Sequence, residues 1–277
     1  MNAHVDPFIR PAGRHQRAEG EANVSLRARP DGVIGLGRLR QQGSAKAISL
    51  LSGRTGEIVF LNTAGGLTSG DRLSYALQAA PGLSATATTQ TAERAYRAPS
   101  GPAQMVVSHR VGQGARLDWL PQETILFDGA SLERRTEIAL EGDAACLMLE
   151  AVVMGRAAMG ETLARVHLSD RRYILRDGAP VLVEPLRLET AALTAGPAVL
   201  DSARAFATLA FVAAGAEDAL APVRRVLDEP GTSGAASGWD GRLVVRLLAV
   251  DGWPLRRQIL RLLAVLRPGP LPRVWQM

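Results

Sequence analysis

Met105-Val-Val-Ser-His-Arg-Val-Gly-Gln-Gly-Ala-Arg-Leu-Asp-Trp119 reads as two alternating runs joined at Gln113-Gly114. Met105, Val107, His109 and Val111 share one parity, and Ala115, Leu117 and Trp119 resume it beyond the turn. Strict alternation fits strands with one buried face, and a turn glycine permits the positive φ of a sharp reversal. The same unit recurs at Pro81-Gly82, between Leu73, Tyr75, Leu77 and Leu83, Ala85, Ala87, Thr89, and again at Glu141-Gly142. The turns recur at about 30 residues, a period typical of stacked repeats. The expectation is a mainly β fold of β-helix-like stacked strands; a β-sandwich would produce much the same alternation.

The alternation dominates from Val24 to Val199 and changes character near Asp201. Ala203–Ala213 reads as an apolar strand, Glu217–Leu227 as a short helix, and Leu243–Val250 as a buried strand. Gly231–Gly238 contains only Gly, Thr, Ser and Ala, which predicts a flexible loop. Leu255, Ile259, Leu262, Leu263 and Leu266 form one stripe of a helix over 254–266, opening at Pro254 and stopped by Pro268-Gly269-Pro270. These few C-terminal helices are expected to cap a single β-rich domain over 21–277, preceded by a flexible tail over 1–20.

With 277 residues and 47% hydrophobic content, the chain can bury a sizeable core. No apolar run approaches the ~18 residues of a membrane span. Arg10, Arg14 and Arg17 stand in an N-terminus with no apolar run, unlike a secretory signal. Cys146 is the only cysteine, which excludes an internal disulfide and a cysteine-rich zinc site. A cytoplasmic location is the expectation. The net charge of +5 and pI of 10.2 bring nucleic acid into consideration. The arginines are scattered, however, and with aromatics at 4% neither stacking platforms nor a recognition helix is visible. The expected partners are therefore proteins, with no nucleic acid and no membrane, since arginine suits protein interfaces.

Asn62-Thr-Ala-Gly65-Gly66-Leu-Thr-Ser-Gly70-Asp71-Arg72 lacks the Gly-Lys-Ser/Thr ending of a phosphate loop and reads as a tight loop with a charged lip. No serine stands in a nucleophile elbow. Cys146 lies among apolar neighbours and reads as a core residue. His4 and His15 lie in the tail, and His109 and His167 lie on strands without metal-ligand spacing. Asp71, Asp118, Glu123, Asp128, Glu150 and Glu161 fall near glycines and turns, where an acid–base pair is conceivable. The dense segment Leu117-Asp-Trp119-Leu-Pro-Gln122-Glu123-Thr-Ile-Leu-Phe-Asp128-Gly129 suits an interface, a lined cavity or buried turn structure.

These segments resemble the urease accessory protein UreD (UreH) family. The Asn62–Arg72 loop is similar to that family's Gly-Gly-(Leu/Ile)-x-Gly-Gly-Asp stretch. Thr88-Thr-Gln-Thr-Ala-Glu93-Arg-Ala-Tyr96-Arg97 resembles its threonine-rich segment ending in Tyr-Arg. The Leu117–Gly129 segment resembles its most recognisable signature, and Gly155-Arg156-Ala-Ala-Met-Gly160-Glu161 its Gly-Arg-x-x-x-Gly-Glu motif. The ending Pro272-Arg-Val-Trp275 is also similar. Ser69 stands where the family usually has glycine, Arg94 where lysine is common, and Thr91 and Val153 where some relatives carry cysteine.

The resemblance implies a non-catalytic chaperone that docks on apo-urease with UreF and the GTPase UreG and assists nickel insertion. It implies no tightly bound cofactor and a β-helix-like fold. Oxygen ligands hold Ni(II) more weakly than imidazole or thiolate. Transient Ni(II) passing Asp71, Glu123, Asp128 and Glu161 is thus the expectation. Gly65, Gly66, Gly70, Arg72, Tyr96, Arg97, Trp119, Gln122, Gly155, Arg156 and Gly160 are expected to bind partners or hold the motifs. The alternative is a β-solenoid enzyme acting on acidic carbohydrate with a carboxylate pair.

Overall fold

The structure is a computed structural model that describes residues 17–53 and 55–276. It begins with three capping strands, β1 (Glu19–Ala28), β2 (Ile34–Gly43) and β3 (Ala45–Ser52). The successive rungs comprise β4 (Thr55–Asn62), β5 (Arg72–Ala79), β6 (Ser84–Thr89), β7 (Glu93–Ala95), β8 (Ala103–Val111), β9 (Arg116–Leu120), β10 (Thr124–Leu126), β11 (Ala130–Leu140) and β12 (Ala145–Met154). The sheets then close with β13 (Val166–Arg176), β14 (Ala179–Glu189), β15 (Ala205–Val212), helix α1 (Leu220–Arg225), β16 (Thr232–Trp239), β17 (Arg242–Ala249) and helix α2 (Gly252–Leu266).

The architecture is β-solenoid-like. β1, β5, β8, β11 and β13 pair in parallel in one sheet, with β2 and β14 antiparallel at its edges. β4, β6, β9 and β12 pair in parallel in the other, continued antiparallel by β15, β17 and β16. The short strands β7 and β10 and the end of β12 make a third parallel face. Gly82, Gly114 and Gly142, all at positive φ, stack at the corners between the two main sheets. Gly82 N–H donates to Gln113 O at 3.0 Å, and Gly114 N–H to Asp143 Oδ1 at 2.8 Å, so each turn is bonded to the next. The two runs joined by each turn therefore lie in different sheets, which separates this fold from an antiparallel sandwich.

The alternating residues face inward as their parity requires: Leu73, Tyr75, Leu77, Met105, Val107, Val111, Leu117 and Trp119 are all buried between the sheets. The continuous apolar run of β12 has a different cause. Cys146, Met148 and Val152 face that core, while Leu147, Leu149 and Ala151 meet the stripe of α2 on the sheet's outer side. Asp251 caps α2, its carboxylate accepting from Gly252 N–H at 2.6 Å.

Two expectations change. Residues 1–16 of the anticipated tail lie outside the described residues, but Glu19 and Gly20 already belong to β1, paired with β2 and β5. Gly231–Gly238 is not a loop: Thr232–Trp239 forms β16 against β17. Its small residues answer close approach, since a Cβ on Gly234 would lie 2.6 Å from the Leu247 side chain and one on Gly238 3.2 Å from Glu217. The Arg224 guanidinium of α1 donates to Ala236 O at 2.9 Å and covers this strand.

Candidate functional site

The edge opposite the glycine corners is irregular, and segments of all four motifs converge on it. Backbone bonds clamp the first two, from Leu67 N–H to Arg94 O at 2.7 Å and from Tyr96 N–H to Leu67 O at 2.8 Å. Asn62 donates to Gly66 O at 3.4 Å and to the Glu93 carboxylate at 3.3 Å. Asp71 is buried and accepts N–H bonds from Ala18 and Thr68, both at 2.8 Å. Ser69, in place of the usual glycine, accepts Ser100 N–H at 2.9 Å and so ties the loop to its neighbour. Gly66 is required by contact: a Cβ there would enter the Tyr96 ring and lie 2.7 Å from Arg94 O.

A ladder of side chains crosses the four loops. The Tyr96 hydroxyl donates to Gly65 O at 3.2 Å, and its ring meets Phe127 edge-on at 4.8 Å. Arg156 lies over the other ring, 4.5 Å from the Phe127 centroid. Glu161 grips Arg156 through two bonds of 2.9 and 3.1 Å, and accepts Asp128 N–H at 3.3 Å. Asp128 in turn accepts the Ala164 and Arg165 N–H groups at 2.8 and 2.9 Å and pairs with Arg97 at 3.4 Å. Gly155, at φ 75°, lets Glu161 O approach, since a Cβ would lie 2.8 Å away. The Arg156 bonds hold the Glu161 carboxyl below the usual carboxylate range, and the two backbone N–H groups do so for Asp128. Arg72, Arg94, Tyr96, Arg97, Arg156 and Gly160 are exposed, and Met159 is 72% exposed beside them.

Two motif residues work elsewhere. Trp119 is fully buried and donates to Glu150 at 3.0 Å. Gln122 donates to Val274 O at 3.1 Å and accepts from Arg256 at 2.7 Å, pinning the Pro272–Trp275 ending to the sheet. Glu123 is half-buried, and its carbonyl receives Glu93 N–H at 3.0 Å, apart from the Asp128–Glu161 ladder. Among the described residues, no group of three or more His, Cys, Asp or Glu could hold a metal ion. His109 is buried, accepts Leu77 N–H at Nδ1, and is held neutral by burial, its pKa pushed down to about 3. Burial likewise pushes the Cys146 thiol up to about 12, which removes it as a nucleophile.

Glu93 had no place among the sequence-derived site residues. Burial pushes its pKa up to about 7, against the opposing bonds from Asn62 and Arg94 N–H. A chain of charges inside the C-terminal half was also missed. Glu150 contacts Arg134 at 2.8 Å, Arg134 and Arg172 each reach Asp170 at 2.6 Å, and Arg172 reaches Glu184 at 2.9 Å. Arg246 meets Glu184 at 2.9 Å at the surface. Burial alone would raise the Asp170 pKa, but its two guanidiniums outweigh that and hold it low. The signal was present: Arg134, Asp170 and Arg172 occupy the inward parity of Leu132 and Ile138, and of Leu168 and Ile174.

The family model of the UreD urease accessory protein matches residues 18–276. A urease accessory protein UreD from Cereibacter sphaeroides is 61% identical over 264 residues, covering 94% of this chain and 96% of the relative. The corresponding figures are 56% over 267 residues for UreD of Paracoccus denitrificans (95% and 94%), and 45% over 268 for that of Rhizobium rhizogenes (95% and 97%). Matches of this extent leave neither sheet nor the motif edge outside the similarity, and the chain belongs to the UreD urease accessory protein family.

Proposed function

We propose that this chain serves urease maturation as a non-catalytic scaffold that docks with UreF, UreG and apo-urease in the cytoplasm, with the motif edge as a docking surface. The supporting observation is the convergence of motif segments on one edge, where Tyr96, Arg97, Arg156 and Met159 are exposed over a rigid hydrogen-bonded base. Tyrosine and arginine are the residue types that dominate binding hot spots. Asp128 and Glu161 do not suit an acid–base pair with each other, because both are held ionised, whereas a glycosidase pair needs one protonated member. Pull-down with UreF, UreG and apo-urease tests this reading, with a stable complex and activated urease expected. Failure to associate, or hydrolase turnover by the chain alone, would overturn it.

Nickel enters this proposal as cargo, met transiently by Asp71, Glu123, Asp128 and Glu161. Amide substitution separates charge from shape only where the bonds survive it. Asn at 71 would aim an N–H₂ at one of two backbone donors, and Gln at 161 would break the Arg156 grip. The usable probes are Glu123→Gln and Asp128→Asn, since Asp128 uses a single oxygen for both backbone bonds and the amide would give up only the exposed Arg97 contact at 3.4 Å. Reduced nickel content in an intact complex is expected; normal loading by the double variant would remove these two from the route.

A further inference from the structure

The outer face of the seven-stranded sheet carries a basic cradle far from the motif edge. Two register rows cross β2, β1, β5 and β8. One reads Arg38–Ser25–Gln78–Arg110 and the other Arg40–Asn23–Ala76–Ser108. Arginines thus stand at both ends of a floor made of small and polar residues. Because β2 and β8 are three strand spacings apart, about 14 Å between backbones, the long guanidinium arms can arch over the floor instead of colliding. The resulting concavity has a volume of about 290 Å³ and is lined by all eight of these side chains, with Val24 and Leu77 contributing beneath.

The donor inventory of this concavity is one-sided. Ser25 Oγ already accepts Arg38 N–H at 2.8 Å, so its own proton is free to be donated outward. Ser108 and Gln78 are exposed and add a hydroxyl and an amide. Asn23 donates to Glu21, and Arg40 lies 3.5 Å from Glu21 and 3.4 Å from Gln42 Oε1. The nearest carboxylate on the β11 side, Glu137, is paired with Arg135 at 2.7 Å. Among the described residues, Arg38 and Arg110 make no ion pair. No carboxylate lines the concavity itself.

We propose that this cradle binds a phosphate-class oxyanion, held between Arg38 and Arg110 with Arg40, Ser25, Gln78 and Ser108 supplying further donors. Planar guanidiniums match phosphate oxygens bidentately, and a tetrahedral anion can accept from several directions at once. The volume accommodates a phosphate or pyrophosphate group, whether free or terminal on a larger molecule. The site is independent of the scaffold reading above.

Calorimetric titration of the full chain with inorganic phosphate and with pyrophosphate, at constant ionic strength, tests the proposal. Saturable binding near one equivalent is expected for at least one of these probes. In the Arg38→Gln/Arg110→Gln double variant the affinity should fall tenfold or more. The exposed Arg171→Gln variant on the same sheet should bind as the parent does. Circular dichroism of each variant should match the parent, as expected for exposed side chains. Absence of saturable heat with both probes, unchanged affinity in the double variant, or an equal loss in Arg171→Gln would overturn the assignment. Tighter binding of an acidic peptide than of pyrophosphate would overturn the ligand class.

Discussion

The two long edges of the solenoid do opposite things with the same repeat. At one edge Gly82, Gly114 and Gly142 make short turns that stack on one another and differ little. At the other, segments 62–71, 96–102, 127–129 and 155–165 connect the rungs with unequal lengths and specific side-chain bonds. The turns at the first edge do one job, reversing the chain, so glycine conformation suffices. The second edge fixes an exposed Tyr–Phe–Arg ladder, and two of its glycines, Gly66 and Gly155, admit the Tyr96 ring and the Glu161 carbonyl at distances a Cβ would forbid. Repetition serves the fold here, and departure from repetition marks the site.

That contrast predicts unequal costs for one chemical change. Gly66→Ala would drive a methyl into the Tyr96 ring and the Arg94 carbonyl at φ 157°. Overpacking and backbone strain together should cost about 4 kcal/mol, enough to unfold or severely destabilise the domain. Denaturant unfolding of the variant measures it, and a cost near 1 kcal/mol would show that the edge is looser than its contacts suggest.

The next largest effect is a pH dependence seated at the same edge. Glu93 has its folded pKa raised from 4.5 to about 7. Between those values the native state keeps a proton that the unfolded chain has lost. The associated stability is complete below about pH 4.5 and disappears as pH rises through about 7. Glu93→Gln mimics the protonated acid and retains an oxygen for Asn62 and Arg94 N–H. It should raise stability at pH 8 by up to about 3 kcal/mol and change it little at pH 4.5. Parallel stability–pH curves for the two proteins would place Glu93 in water.

At the regular edge the same methyl should matter less. A Cβ on Gly82 meets nothing within 4 Å, so Gly82→Ala pays only for its left-handed backbone at φ 72°. About 1–2 kcal/mol is expected by thermal or denaturant unfolding. A loss as large as that of Gly66→Ala would erase the distinction between the edges.

The difference also explains what the sequence disclosed. The corners and the alternating parity were legible because period two and turn glycines act locally, as Gln113-Gly114 shows. The partition of paired runs into separate sheets was not, since a hairpin and a solenoid corner use similar turn residues. Composition misled at Gly231–Gly238, where smallness reflects the approach of Leu247 and Glu217 and not freedom. Trp119 could be read as an interface anchor or as a buried residue, because aromatic residues serve both roles; Phe60, which packs against it with His109, is distant in sequence. Arg134, Asp170 and Arg172 were legible in principle, as charges in phase with buried positions. Their mutual pairing across β11 and β13 needed the register.

The smallest effect on folding should accompany the largest on association. Arg156 is exposed, and its guanidinium is joined to Glu161 and stacked on Phe127. The pair should contribute little to stability, because Arg156 is solvated and the Glu161 carboxylate keeps its bonds from the Asp128 and Arg156 N–H groups without the guanidinium. Arg156→Ala should therefore leave the unfolding midpoint nearly unchanged. If the ladder is a docking surface, the same change removes a planar donor fork and bares the Phe127 ring. Capture of UreF, UreG and apo-urease should then weaken by roughly tenfold, the scale of a hot-spot arginine. Arg156→Lys discriminates further: it keeps the charge but loses the fork, so it should restore little of the binding if geometry matters and most of it if charge alone matters. A control at the regular edge, Gln113→Ala, should leave association intact. Should Arg156→Ala and Gln113→Ala bind partners equally well, the irregular edge would be a structural seam, and the docking surface would have to be sought on another face.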